Sequence, residues 1–231
     1  EFPLLSHTFV ISTVEGLMRR GCDVSVVCAR IGGDARIDAG AEPMRTMLAN
    51  THRWWPVSPG VGRAVRRLPP RLKDKVATAS DMLWNRELNR SDLVLAHFGG
   101  NGLRLARMKR RGRLAPPLVT IFHGNDIGVP AHEGTLGRYA PLFDYGACLL
   151  TVNRMFREML VEAGAPEDRT VVHRMGIDCD EIPFSPRAMA EGPLELVSVC
   201  RLVEKKGIAV ALRAMAAFAA ARPAAEWRYS V

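Results

Sequence analysis

The sequence has no C-x-x-C pair, no long apolar run and no dinucleotide fingerprint, and each absence removes a class of protein. Cys22, Cys28, Cys148, Cys179 and Cys200 are odd in number and mostly sit in or beside apolar runs. That argues against a disulfide framework or a zinc site, and for buried free thiols in a reducing cytosol. No apolar stretch approaches the roughly 18 residues that a membrane-spanning helix needs. The pattern G-x-G-x-x-G is missing: neither Gly60-Val61-Gly62 nor Gly99-Gly100-Asn101-Gly102 completes it, so hydride transfer on a dinucleotide is disfavoured. Aromatic residues make up 6% of the chain, and few are interleaved with basic segments, which leaves little to stack on nucleic-acid bases. Glu1-Phe2-Pro3 opens the chain without methionine or a leader pattern, so further residues are expected ahead of it.

What is present is positive charge in clusters. The net charge is +8 over 231 residues. Residues 63–75 carry six basic side chains and one acid just after Trp54-Trp55, and residues 104–113 carry six basic side chains and no acid. Such stretches attract nucleic acid, an anionic membrane surface or a phosphorylated ligand, or they simply keep a surface solvated.

The hydrophobic pattern alternates between helix and strand. Phe9, Val10, Val14, Leu17 and Met18 recur at helical spacing, and residues 22–29 read as a strand. Residues 31–75 are expected to be irregular, with one or two short helices. Strands are then expected at 92–98, 118–122, 147–152 and 170–174, with helices at 102–111 and 136–143 and another N-capped by Asn153. This is the rhythm of an α/β fold with a parallel sheet covered on both faces. Residues 176–193, with Pro183, Pro186 and Pro193, read as a linker. A second α/β start follows: strand 194–200, helix 207–221, strand 227–231. So short a unit cannot bury enough surface to stand alone.

Open parallel sheets bind ligands beyond the carboxyl ends of their strands, so residues there are the first candidates. His97 ends one strand, followed by Gly99, Gly100 and Gly102, which either admit a ligand close to the backbone or make a tight turn. The next strand ends in Phe122-His123-Gly124-Asn125-Asp126. His123 is read as a hydrogen-bonding or proton-carrying group with Asp126 beside it, or as a turn-capping histidine. Arg201 and Lys206 flank a short loop at Gly207, where a helix begins. A guanidinium, an ammonium and a helix N-terminus suit a diphosphate, although charged loops also serve as plain connections. Asp178-Cys179-Asp180 offers two hard ligands away from any strand end and is rejected as a metal site.

In this order the motifs resemble those of the retaining glycosyltransferases of family four, which have the GT-B fold. They are Phe2-Pro3 through Ser6-His7-Thr8-Phe9, His97-Phe98-Gly99, Phe122-His123-Gly124-x-Asp126, Gly176-Ile177-Asp178 with Phe184, and Arg201-Leu202-Val203-Glu204-Lys205-Lys206-Gly207. The bacterial exopolysaccharide enzymes of colanic acid and amylovoran assembly are similar. The resemblance implies a Rossmann-like acceptor-side domain over 1–185 and the start of a nucleotide-sugar-binding domain over 186–231, facing across a cleft. It implies that His123 and Asp126 are catalytic, that Arg201, Lys206 and Gly207 hold the donor diphosphate, and that Ser6 and Thr8 lie near the phosphates. His97, Gly99 and Gly100 fall at the acceptor-side strand end.

The implied partners are a nucleotide-sugar donor and a saccharide or lipid-linked saccharide acceptor. The implied place is the cytoplasm, with the inner face of the cytoplasmic membrane as a possible anionic surface for residues 63–75. Neither a metal, a cofactor nor a nucleic-acid partner is expected. His7 stands where the family has glutamate, and Cys200 where it has glycine. A first strand before Glu1 and most of the nucleotide-binding domain, with its paired glutamates, are expected to lie outside the chain, which by itself is expected to have little transferase activity. The competing readings are a basic nucleic-acid-binding α/β protein and a nucleotide-sugar epimerase of the GT-B type.

Overall fold

The computed structural model describes residues 2–4, 7–32, 37–53, 67–69, 72, 87–177, 179–180, 182–186 and 192–231. Ser6, Trp54-Trp55, Gly60-Val61-Gly62, Asp178 and most of residues 63–75 lie outside the described residues. Two compact units divide at Gly176 and Ile177, earlier than the boundary expected at 185 and at the head of the proline-bearing stretch.

The first unit opens with α1 (Thr8–Arg19), β1 (Val26–Cys28), α2 (Met44–Ala49) and β2 (Thr51–Arg53). β1 and β2 pair in parallel, and Phe2 bridges in parallel to Ile31. Strand β2 lies in the segment expected to be irregular. Three residues that read Thr-His-Arg carry no alternation long enough to signal a strand, and pairing with β1 decides the matter.

Four further strands follow in chain order: β3 (Val94–His97), β4 (Leu118–Phe122), β5 (Cys148–Thr151) and β6 (Thr170–Val172). They lie side by side as β3-β4-β5-β6 and every pairing is parallel. The crossovers are α3 (Gly99–Arg110), then α4 (Asn125–His132) and α5 (Ala140–Tyr145), then α6 (Arg154–Glu162). Strands covered on both faces need apolar side chains nearly throughout. Leu118, Ile121 and Phe122 of β4 are accordingly buried with Leu103 and Ala106 of α3, Ile127 of α4, Leu142 of α5, Leu149 of β5 and Leu160 of α6. The Asn153 side chain accepts from the Phe156 amide at 2.8 Å and caps α6 as expected.

Helix α4 departs from the sequence reading. Gly124, Gly128, Pro130 and Gly134 obscure its helical pattern, yet Ile127 and Pro130 are both buried. Burial of that face overrides poor local propensity.

The second unit holds β7 (Leu194–Val197), α7 (Ile208–Ala221) and β8 (Trp227–Ser230), with β7 and β8 parallel. None of its described residues is buried; Cys200 is exposed rather than buried as its apolar run suggested, and Val199 is 94% exposed. Two strands and one helix have too little apolar surface between them to exclude water.

Candidate active site

The ends of β3 and β4 bring the sequence candidates of the first unit together. His97 is the last residue of β3 and lies in register with Ile121 of β4; His123 follows the end of β4. Parallel neighbours therefore set the two rings side by side although 26 residues separate them, and His97 Nδ1 lies 3.0 Å from His123 Nε2. The Phe9 ring packs 4.4 Å from His123 and the Phe98 ring 4.9 Å from it, centroid to centroid. His7, just ahead of α1, lies 5.5 Å from Phe98. Phe98 bends the chain from β3 into α3 at φ 73°, a conformation that bulky residues rarely adopt and that clusters at functional sites.

Asp126 works through the backbone. Its Oδ2 accepts from the Gly99 amide at 2.8 Å, and its Oδ1 from the amides of His123 at 3.0 Å and Gly124 at 2.8 Å. Its own carbonyl accepts from the Tyr139 hydroxyl at 2.8 Å. Among the described residues the carboxylate makes no hydrogen bond to the His123 ring, which it reaches by charge alone. The sequence reading set Asp126 beside that ring; the structure makes it the clasp joining the turns after β3 and β4. Its charge also occupies the start of α3, which disfavours a phosphate there.

The glycines divide in the same way. A Cβ on Gly99 would fall 2.3 Å from Phe122 Cε1 and one on Gly102 would fall 2.4 Å from Thr120 Oγ1, so both are demanded by packing. Only Gly100 of the three faces open space, with nothing within 4 Å of its would-be Cβ.

Burial, then the charge of His123, then that of His7, lowers the His97 pKa to about 4. His123 is also lowered, chiefly by burial, with Asp126 pulling it upward and His7 pressing it down. Burial lowers His7 in turn. These rings are neutral in the folded protein and charge more readily when it unfolds. Between 6.5 and about 4 the unfolded chain binds a proton that native His97 refuses. Stability should therefore fall as pH drops through that window, by at most about 3 kcal/mol from His97. Urea unfolding at pH 7 and pH 4.5 tests this in His97→Phe against the parent, and an unchanged pH slope in the variant would refute it.

In the second unit Arg201 and Lys206 are exposed and form no ion pair among the described residues. Gly207 sits at φ 70° and caps α7, its carbonyl accepting from the amides of Val210 and Ala211. The left-handed turn explains the glycine. Both cations thus stand close in sequence to a helix start, as expected. Thr8 is the exposed first residue of α1. Sequence reading names Phe98 only as part of the motif His97-Phe98-Gly99, with no role of its own, and does not name Tyr139 at all. An aromatic between a strand-terminal histidine and a double glycine was the available signal for Phe98; Tyr139 gave none.

A four-stranded parallel sheet with helical crossovers and a separate strand–helix–strand unit define a Rossmann-like α/β protein of the GT-B type. Crystal structures of Anabaena HepE share this fold. The complex with UDP-glucose superposes with a TM-score of 0.58 at 17% identity, covering 93% of this chain and 54% of that one. The complex with UDP gives a TM-score of 0.59 over the same shares. Residues 6–181 match Glycosyltransferase Family 4, and the chain belongs to that family. It is 29% identical to WcaL of Escherichia coli, a candidate colanic acid biosynthesis glycosyltransferase, and 28% identical to the amylovoran biosynthesis glycosyltransferase AmsK of Erwinia amylovora. Each comparison takes in 93% of this chain, which spans 58% of the length of either relative.

Proposed function

We propose that the protein moves a glycosyl unit from a nucleotide-sugar to an acceptor hydroxyl, with retention of anomeric configuration, in cell-surface polysaccharide assembly. The observation that carries this reading is the paired His97 and His123 at adjacent strand ends of a Family 4 chain. The names of the colanic acid and amylovoran relatives, and the UDP-glucose held by HepE, support it. In this reading His123 contacts the transferred sugar and Asp126 holds its backbone in place. Arg201, Lys206 and the start of α7 hold the donor diphosphate and offset charge developing on the leaving nucleotide, so no metal is required. In the same reading Thr8 lies near the phosphates, and at the end of β3 it is Gly100, with open space beside it, that faces the acceptor.

The acceptor is a saccharide or lipid-linked saccharide met in the cytoplasm at the inner face of the cytoplasmic membrane. No helix among the described residues is long and apolar enough to cross a membrane. The exposed Arg104, Arg107, Arg110 and Arg111, with the basic residues of 63–75, support contact with an anionic surface.

The test is calorimetric titration with UDP-glucose and other nucleotide-sugars, followed by sugar transfer to a lipid-linked saccharide. Arg201→Ala should weaken donor binding by about 10–100-fold, the loss of a charge-assisted contact. His123→Ala should leave that binding nearly intact and lower turnover by about 100-fold or more. Donor binding that is indifferent to Arg201 and Lys206 would sink the assignment.

A further inference from the structure

An imidazole has two nitrogens, and one of those on His123 is already engaged. Its Nε2 lies 3.0 Å from Nδ1 of His97. The ring planes are 9° apart and the centroids 5.2 Å apart, which is the span of two coplanar rings meeting edge to edge rather than face to face. An N–H···N hydrogen bond is best aligned in that arrangement. Between neutral rings one nitrogen donates and the other accepts, so the bond couples the tautomer of one ring to that of the other.

We propose that His97 is a positioning residue that locks the His123 ring through this bond, leaving Nδ1 as the ring nitrogen that His123 presents to a ligand, and confining any proton added to the pair to His123. The proposal rests on the reading of His123 as the group that contacts the transferred sugar. The proton inventory follows from chemistry. When His123 is charged both of its nitrogens donate, so His97 Nδ1 must accept and His97 carries its own hydrogen on Nε2. A proton on His97 instead would charge the ring that burial disfavours more strongly. The groups that face the pair agree. Asp126 on α4 favours a charged His123, whereas His7, ahead of α1, disfavours charge on either ring. Phe9 on α1 and Phe98 after β3 flank the rings and carry no charge.

The experiment is nitrogen NMR of the histidine rings in the labelled 231-residue chain, with no donor or acceptor present. The parent protein should show a scalar coupling across the hydrogen bond between His97 Nδ1 and His123 Nε2, and a single tautomer for each ring. His97→Phe keeps a ring but removes the bond. His123 should then populate both tautomers and titrate at lower pH, because its charged form has lost an acceptor. His97→Asn sets an amide near the place of Nδ1 and should restore the parent tautomer and titration. Absence of the coupling in the parent, or identical His123 spectra in the Phe and Asn variants, would overturn the proposal. The parent coupling decides the matter even if a variant fails to fold. Because the readout needs no substrate, it separates from the donor-binding test: donor binding that depends on Arg201 with no coupling defeats the positioning role alone, and coupling with donor binding indifferent to Arg201 and Lys206 defeats the functional reading alone.

Discussion

Gly99→Ala is expected to destabilise the protein by about 3 kcal/mol, because its methyl group has no room. The added Cβ would lie 2.3 and 2.8 Å from two carbons of the Phe122 ring and 2.9 Å from Tyr139 Cζ. Phe122 is fully buried and Tyr139 nearly so, and neither can swing into solvent. The two rings already meet edge to face at 5.3 Å, so one cannot yield without displacing the other. Tyr139 also donates to the Asp126 carbonyl, so the disturbance should spread to the histidine pair. Gly100→Ala is the internal control. It adds the same methyl one residue on, where nothing lies within 4 Å, and it should gain about 0.5–1 kcal/mol from better helix propensity. Urea unfolding with an unchanged slope measures both. Equal effects of the two substitutions would show that the Gly99 contact has been misread.

The second large effect is expected at Asp126. Alanine there removes the acceptor for three backbone amides, those of Gly99, His123 and Gly124. Hydrogen bonds to a carboxylate are the stronger kind, but the side chain is only partly buried, so water can replace some of them. A loss of about 2–4 kcal/mol follows, with Asp126→Asn falling between parent and alanine because the amide keeps one acceptor oxygen. The diagnostic measurement is hydrogen exchange at the three amides, which should speed up together. If the Gly99 amide exchanges as in the parent protein, the clasp between the two turns is not what holds them. The same variant should loosen the His123 ring, which connects this stability effect to the proposed chemistry.

The contrast between Gly99 and Gly100 also marks how far sequence reasoning reaches. Adjacent glycines after a strand look alike in a sequence, and either could admit a ligand. Only the position of Phe122, brought over by β3–β4 pairing, makes one of them a packing necessity and leaves the other open. The Asp126 reading shows the same limit. Three residues from His123, the carboxylate was legible as a neighbour, but its hydrogen-bond partners include Gly99, which is 27 residues away.

By itself the sequence determined the class of fold and the order of its periodic elements, because hydrophobic periodicity is a local property that strands and helices must satisfy wherever they lie. β4 and the Asn153 cap of α6 were legible for that reason, and so was Gly207, whose chain must turn left-handed before α7. The ordered motifs likewise carried the family. Elements lacking local periodicity, β2 and α4, were decided by tertiary pairing and burial. The histidine pair was decided only in three dimensions. Two parallel strands in register place His97 and His123 together, and a 3.0 Å bond between rings 26 residues apart leaves no trace in the chain that encodes it.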